Sequence, residues 1–345
     1  MGVEAAILSL SSYAFFTFFL HFGNVCAVVG RNHIVRNKAA TRFEGEMHSK
    51  IGSMQTTCET SLSVQEVVLV DCPDEVGLIH RITGVLAAHQ WNIERNQEFV
   101  DGEASHFFFR AEVSSKACCS AEGMHGLQTA LADVLPAKAS VRIVSRELRP
   151  IVICATREPH CLGELLLLDA VGELPGKIVA VISNHDTLRQ LVERFEVPFH
   201  FLPHHEKSRE LHEQQLADLI DTYAPESIVL ARYMRVLSDR FVDRYSKKLI
   251  NIHHSFLPAF VGAAPYHQAF ERGVKVIGAT AHYVTAELDA GPIIAQDVIP
   301  VDHTFSAKQM AQAGRDVEKI VLAKAVRLVL EDRVFMHNGR TVVFS

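Results

Sequence analysis

Across residues 151–230, short apolar runs alternate with stretches of helical spacing, and this alternation confines that part of the chain to a parallel α/β sheet. The runs at 151–155, 178–183, 199–202 and 227–230 have strand character, and helices are predicted between them at 160–170, 187–195 and 210–223. Parallel strands joined by helices need right-handed crossovers, which gives a mostly parallel, Rossmann-like sheet. In such a sheet ligands sit beyond the carboxyl ends of the strands, where the strand order reverses.

A second stretch, residues 249–289, supplies the chemistry. It reads LINIHHSFLPAFVGAAPYHQAFERGVKVIGATAHYVTAELD. Asn251 and His253 are two apart on the strand LINIH, so their side chains leave the same face. Asp289 follows a second strand, VIGATAHYV, in a polar turn ending at Gly291. An amide, an imidazole and a carboxylate at strand ends suit an acyl-type reaction, in which one group holds an oxyanion, one moves protons and one orients or activates.

Residues 64–147 show a different order. The pattern is a strand at 64–72, Asp74 as the N-cap of a helix at 76–89, a hairpin of strands 93–99 and 104–113 around Asp101-Gly102, a helix from a Ser120 cap to 135, and a strand at 140–145. This β-α-β-β-α-β arrangement is ferredoxin-like. The expected organisation is therefore an extension over 1–62, a small domain over 63–147 and a catalytic domain over 148–345.

The extension carries no Lys, Arg, Asp or Glu from Ala5 to Gly30, an apolar length that could cross a bilayer. It could be a signal peptide or a signal anchor followed by Arg31, Arg36, Lys38 and Arg42. Alternatively it lies upstream of a true start at Met47 or Met54. A cytoplasmic protein is expected if the extension is absent, and a mitochondrial or membrane-tethered one if it is retained.

A net charge of -6 gives no footprint for nucleic acid. The seven cysteines contain no C-x-x-C, so a reducing compartment is expected and neither a disulfide framework nor a zinc site. His204-His205-Glu206 and His253-His254 lack the spacing of a metal signature, so no metal is expected. Residues 172–177, GELPGK, superficially resemble a phosphate loop. They lack a spacer and the following Ser or Thr, and Pro175 removes an amide, so they read as a turn before a strand.

Residues 72–99, CPDEVGLIHRITGVLAAHQWNIERNQEF, resemble an ACT domain. The resemblance implies edge-to-edge pairing into a homo-oligomer and an amino-acid effector near Asp74, Val76, Gly77 and Leu78. ISNHDTL, PFHFLPHHEKSR, LARYMRVLS, the 249–289 stretch and LDAGPIIAQDV together resemble the formyltetrahydrofolate deformylases. In that family an ACT domain precedes a formyltransferase-like domain. The resemblance implies hydrolysis of 10-formyltetrahydrofolate to formate and tetrahydrofolate, feeding purine synthesis and balancing the folate pool. Asn251, His253 and Asp289 would be the catalytic trio, with folate as substrate and no further cofactor. The pterin would lie against Met234, Arg235, Val236 and Leu237, with Gly262, Tyr266, His267 and His282 completing the pocket.

The nearest rival is formyl transfer to a small amine such as glycinamide ribonucleotide. A phosphorylated acceptor would need a glycine-rich amide cradle after the first strand, where this chain has Thr156-Arg157-Glu158-Pro159-His160. A non-catalytic amino-acid or folate-binding regulator is the other alternative.

Overall fold

The computed structural model describes residues 20–22, 25–27, 64–115, 121–259 and 265–345. Strands β1 (Leu20–Phe22) and β2 (Val25–Ala27) form an antiparallel pair within the unit Met1–Ser61. The rest of the apolar stretch from Ala5 to Gly30 lies outside the described residues. Among those described, no helix is long and apolar enough to cross a membrane.

The unit Leu62–Ser345 begins with a four-stranded antiparallel sheet. Its elements are β3 (Val64–Pro73), α1 (Leu78–Ala88), β4 (Asn92–Asp101), β5 (His106–Ser115), α2 (Ala121–Val134) and β6 (Ser140–Ser145), with strand order β4-β5-β3-β6. Period-two alternation gives β3 two apolar faces. Val68, Val70 and Cys72 pack under α1 and α2 with Leu78, Ile82, Leu86, Leu127 and Leu131. Val67 and Leu69 face the other way with Phe108.

Two local expectations are corrected. Gly77, not Asp74, caps α1, and its φ of 89° is left-handed, where a side chain would be strained. The backbone N–H of Asp74 instead donates to the Ser105 carbonyl at 2.8 Å. The hairpin turn is also longer than Asp101-Gly102, because the Asp101 carboxylate accepts from the Glu103 and Ala104 amides and carries the reversal to His106. Ser120 lies outside the described residues.

A seven-stranded sheet follows, with strands β7 (Arg149–Ala155), β8 (Gly176–Ser183), β9 (Phe199–Phe201), β10 (Ser227–Ala231), β11 (Leu249–His253), β12 (Val276–Tyr283) and β13 (Ile293–Pro300). Its order is β13-β12-β11-β10-β7-β8-β9, parallel from β11 to β9, with β12 and β13 added antiparallel. Helices α3 (His160–Ala170), α4 (Arg189–Glu193), α5 (Arg209–Thr222), α6 (Asp239–Arg244), α7 (Pro265–Glu271) and α8 (Ala307–Leu330) surround it. Leu162, Leu165 and Leu166 of α3 and Val317, Val321 and Val326 of α8 cover one face, while Leu216 and Ile220 of α5 and Phe241 of α6 cover the other. Residues 172–177 are, as expected, a turn into β8. The helix expected at 187–195 is instead a 3-10 turn, Asp186–Leu188, leading into the short α4.

The chain runs from β7 outward to β9, then returns across the sheet to β10. The order therefore reverses between β7 and β10, which opens a crevice at their carboxyl ends. There the Thr156 hydroxyl accepts from the Met234 amide at 3.1 Å and pins the loop after β10.

The C-terminal hairpin, β14 (Val334–His337) and β15 (Arg340–Val343), turns at Asn338-Gly339, both with positive φ. Phe335 and, just beyond β15, Phe344 close over Val67, Leu69 and Phe108, so the small sheet is covered on its second face by the end of the chain. Arg110 of β5, only 2% exposed, donates to the carbonyls of Glu331 and Asp332 just past α8. These orphan carbonyls at a helix end are thereby satisfied by a cation. Arg149 of β7 pairs with Asp332 and Glu226 at the same junction.

Candidate active site

Strand β11 delivers the first two groups. Antiparallel register sets Asn251 opposite His282 of β12, and Asn251 Nδ2 lies 3.2 Å from His282 Nε2. The other His282 nitrogen, Nδ1, donates to the Tyr283 carbonyl at 2.8 Å, which leaves Nε2 of a neutral ring to accept from Asn251. His282, 2% exposed, therefore fixes the orientation of the Asn251 amide.

Asp289 arrives from the turn after β12 with φ of 55°, a left-handed conformation that a non-glycine residue adopts at a cost. Gly291 makes that turn possible, since a Cβ there would lie 1.7 Å from the Tyr283 carbonyl oxygen. So held, Asp289 Oδ2 sits 3.2 Å from His253 Nδ1, and Oδ1 sits 3.7 Å from His282 Nε2. The hydrogen bond from His253 is the largest influence on Asp289, and against the burial that raises it the carboxyl is kept well below the usual carboxylate range. Among the described residues, His253 Nε2 is buried without a hydrogen-bond partner. A buried orphan nitrogen in a ring whose other nitrogen is already engaged is a group awaiting a ligand.

Asn251, His253 and Asp289 line one cavity of about 600 Å3, within the range that holds a single small organic molecule. Met234, Arg235, Val236, Leu237, Tyr266, His267 and His282 line it too. Met234 and Val236 are largely exposed apolar side chains on the loop after β10, an apolar surface beside backbone polar groups. Gly262 lies outside the described residues.

Two residues of this cavity were not among the predicted site residues, although Arg232 lies within the motif LARYMRVLS. Arg232, with φ of 60°, and Glu318 of α8, wholly buried, both line it. Glu318 accepts from His160 Nε2 at 2.8 Å and from the Tyr266 hydroxyl at 2.7 Å, and Arg232 Nε stands 3.4 Å away. Burial pushes the Glu318 carboxyl up, but these partners more than offset it and hold it below its ordinary value. Burial, with Arg232 beside it, pushes His254 down to about 4. The ligand atoms of His160, Cys161 and Glu318 lie within 4.8 Å of one another. That set is engaged internally: His160 already donates to Glu318, Arg232 supplies the cation, and burial raises the Cys161 thiol well above its ordinary value.

In the small domain three of the four expected effector residues, Asp74, Val76 and Gly77, are exposed. Leu78 is buried in the core, whereas Val76 is fully exposed and Asp74 lies open beside it. The space where a Gly77 Cβ would stand is empty, so its glycine answers to backbone conformation rather than to crowding.

Comparison with known proteins agrees with this two-part architecture. The ACT domain family matches residues 67–116 and the formyl transferase family matches residues 149–326. The formyltetrahydrofolate deformylase of Haemophilus influenzae is 51% identical over 282 residues, covering 81% of this chain and 99% of that one. The chain belongs to the formyltetrahydrofolate deformylase family. A crystal structure of the deformylase from Pseudomonas syringae superposes with a TM-score of 0.78 at 40% identity, covering 86% of this chain and 98% of the other. A glycinamide ribonucleotide transformylase from Symbiobacterium toebii matches with a TM-score of 0.55 at 29% identity, covering 57% of this chain and 95% of its own. The part of this chain that matches the formyl transferase family thus shares its fold with a glycinamide ribonucleotide transformylase.

Proposed function

We propose that the chain hydrolyses 10-formyltetrahydrofolate to formate and tetrahydrofolate, with Asn251, His253 and Asp289 as the reacting groups. The supporting observation is His253 Nε2, which has no hydrogen-bond partner among the described residues and is buried in a cavity beside an amide and an ionised carboxylate. Water adds to the formyl carbon, the carbonyl oxygen takes up negative charge, and the bond to N10 breaks as that nitrogen gains a proton. Asn251 Nδ2 donates to the developing oxyanion, and His253 Nε2 donates beside it when protonated or takes the water proton when not. Asp289 fixes the ring by accepting from Nδ1. The apolar loop 234–237 receives the pterin.

The wider reading includes an amino-acid effector at the turn around Gly77, association through the open edges of the small sheet at β4 and β6, and a cytoplasmic setting. Calorimetry with amino acids, sedimentation and cell fractionation test these in turn. The reaction itself is tested by formate release from 10-formyltetrahydrofolate with and without glycinamide ribonucleotide. Release that needs no acceptor supports hydrolysis, release only with the acceptor means transfer, and none means a binding protein.

A further inference from the structure

We infer that the wall built from Tyr266, Glu318 and Arg232 determines the acceptor of this reaction: it occupies the space an amine would need beside the formyl group and leaves room for water. The inference rests on the hydrolytic reading above and says why a site on a formyltransferase-like scaffold uses water.

The cavity has two chemically distinct linings. Met234, Val236, Leu237 and Leu288 give apolar surface suited to a flat heterocycle. The remaining lining leads away from the trio as a row of rings that ends in polar contacts. The His253 and His254 rings are 5.2 Å apart, and those of His254 and Tyr266 are 6.1 Å apart. The Tyr266 hydroxyl then donates to Glu318, which His160 and Arg232 approach from other sides. With a folate in the apolar part, a nucleophile reaches the formyl carbon between the trio and this wall.

The wall is rigid. A Cβ on Gly314 would lie 2.0 Å from Tyr266 Cζ, so the glycine lets the aromatic ring lie directly across α8. The ring is fixed at its far end by the 2.7 Å bond to a carboxylate with no exposed surface. Arg232 and Glu318 form an ion pair within this wall, with Nε 3.4 Å from the carboxylate. Among the described residues His253 Nε2 is buried without a hydrogen-bond partner, and water can bond to it.

The two outcomes differ only in nucleophile. Water gives formate and tetrahydrofolate. An amine adds through its nitrogen, loses a proton, and leaves as the formamide while N10 gains the proton. Partitioning between them reads the wall directly, and a merely structural role for Tyr266 would lower both products together.

The test uses 10-formyltetrahydrofolate with glycinamide, measuring formate and N-formylglycinamide for the full-length protein and for Tyr266→Phe, Tyr266→Leu and Tyr266→Ala. The unsubstituted protein should give formate with only a trace of N-formylglycinamide. The share of N-formylglycinamide should rise with the volume removed, from about twofold for Phe, which only unpins the ring, to about tenfold or more for Ala. A flat share across those variants that still release formate would overturn the inference, as would substantial N-formylglycinamide from the unsubstituted protein. Absence of formate from the unsubstituted protein without amine would instead overturn the hydrolytic reading.

Discussion

His253 Nδ1 lies 3.2 Å from Asp289 Oδ2, and the opposite nitrogen of the same ring has no hydrogen-bond partner among the described residues. One side of the imidazole is committed to orientation and the other is left for a reacting atom, so replacing a neighbour should change rate more than fold. Asn251 is the cleanest case, because its amide is aligned by His282 from behind. Asn251→Ala should lower kcat by about one hundred- to one thousand-fold. Steady-state kinetics together with an unchanged melting temperature would check this.

Asp289→Asn keeps the shape of the turn and removes the charge that orients His253, so turnover should fall roughly a thousandfold. Near-normal turnover with folate binding intact would remove Asp289 from the mechanism.

Acid should also separate that variant from the unsubstituted protein. The folded-state pKa of Asp289 lies below its ordinary value of 3.8, so the ionised carboxylate stabilises the fold above that value, and the stabilisation is lost as pH falls through the depressed folded value. The stability difference between the two proteins should be constant above about pH 5 and shift against the unsubstituted protein in stronger acid. Denaturant unfolding across this range measures it.

Gly291→Ala should damage fold and chemistry together. The added methyl meets a backbone oxygen at 1.7 Å, which has no flexible end to swing aside. A loss of about 3 kcal/mol is expected, with turnover falling because the displaced turn carries Asp289 with it. Chemical denaturation and kinetics on the same preparation check both.

Arg110→Ala would leave the carbonyls of Glu331 and Asp332 and the carboxylate of Glu112 without their buried cation. Removing one partner from so enclosed a group should cost about 3 to 5 kcal/mol. The unfolding midpoint should drop without a direct effect on the chemistry at His253.

The alternation of strand and helix was legible because burial on both faces of a parallel sheet leaves nearly continuous apolar runs, as in β10, where all five residues are buried. Asn251, His253 and Asp289 could be picked out because two of them share one strand face and the third follows the adjoining strand. Glu318 could not be read in the same way. A glutamate within a helix normally faces solvent, and only the folded positions of His160, Arg232 and Tyr266 make its burial tolerable. Gly314 was hidden for the same reason, since its meaning depends on a ring 48 residues earlier in the chain. The cap of α1 was misplaced because Asp74 has a capping side chain, whereas Gly77 acts through backbone conformation alone.

The covering of the small sheet by Phe335 and Phe344 has a consequence for biosynthesis. A ribosome completes β3 and β5 long before it reaches the residues that shield their second face, and Arg110 waits 221 positions for its Glu331 carbonyl. In that interval Val67, Leu69 and Phe108 present a sticky surface to every other chain in the cell. The last strands therefore act as a closing stitch, and nascent chains stalled before them are the species in which aggregation should begin.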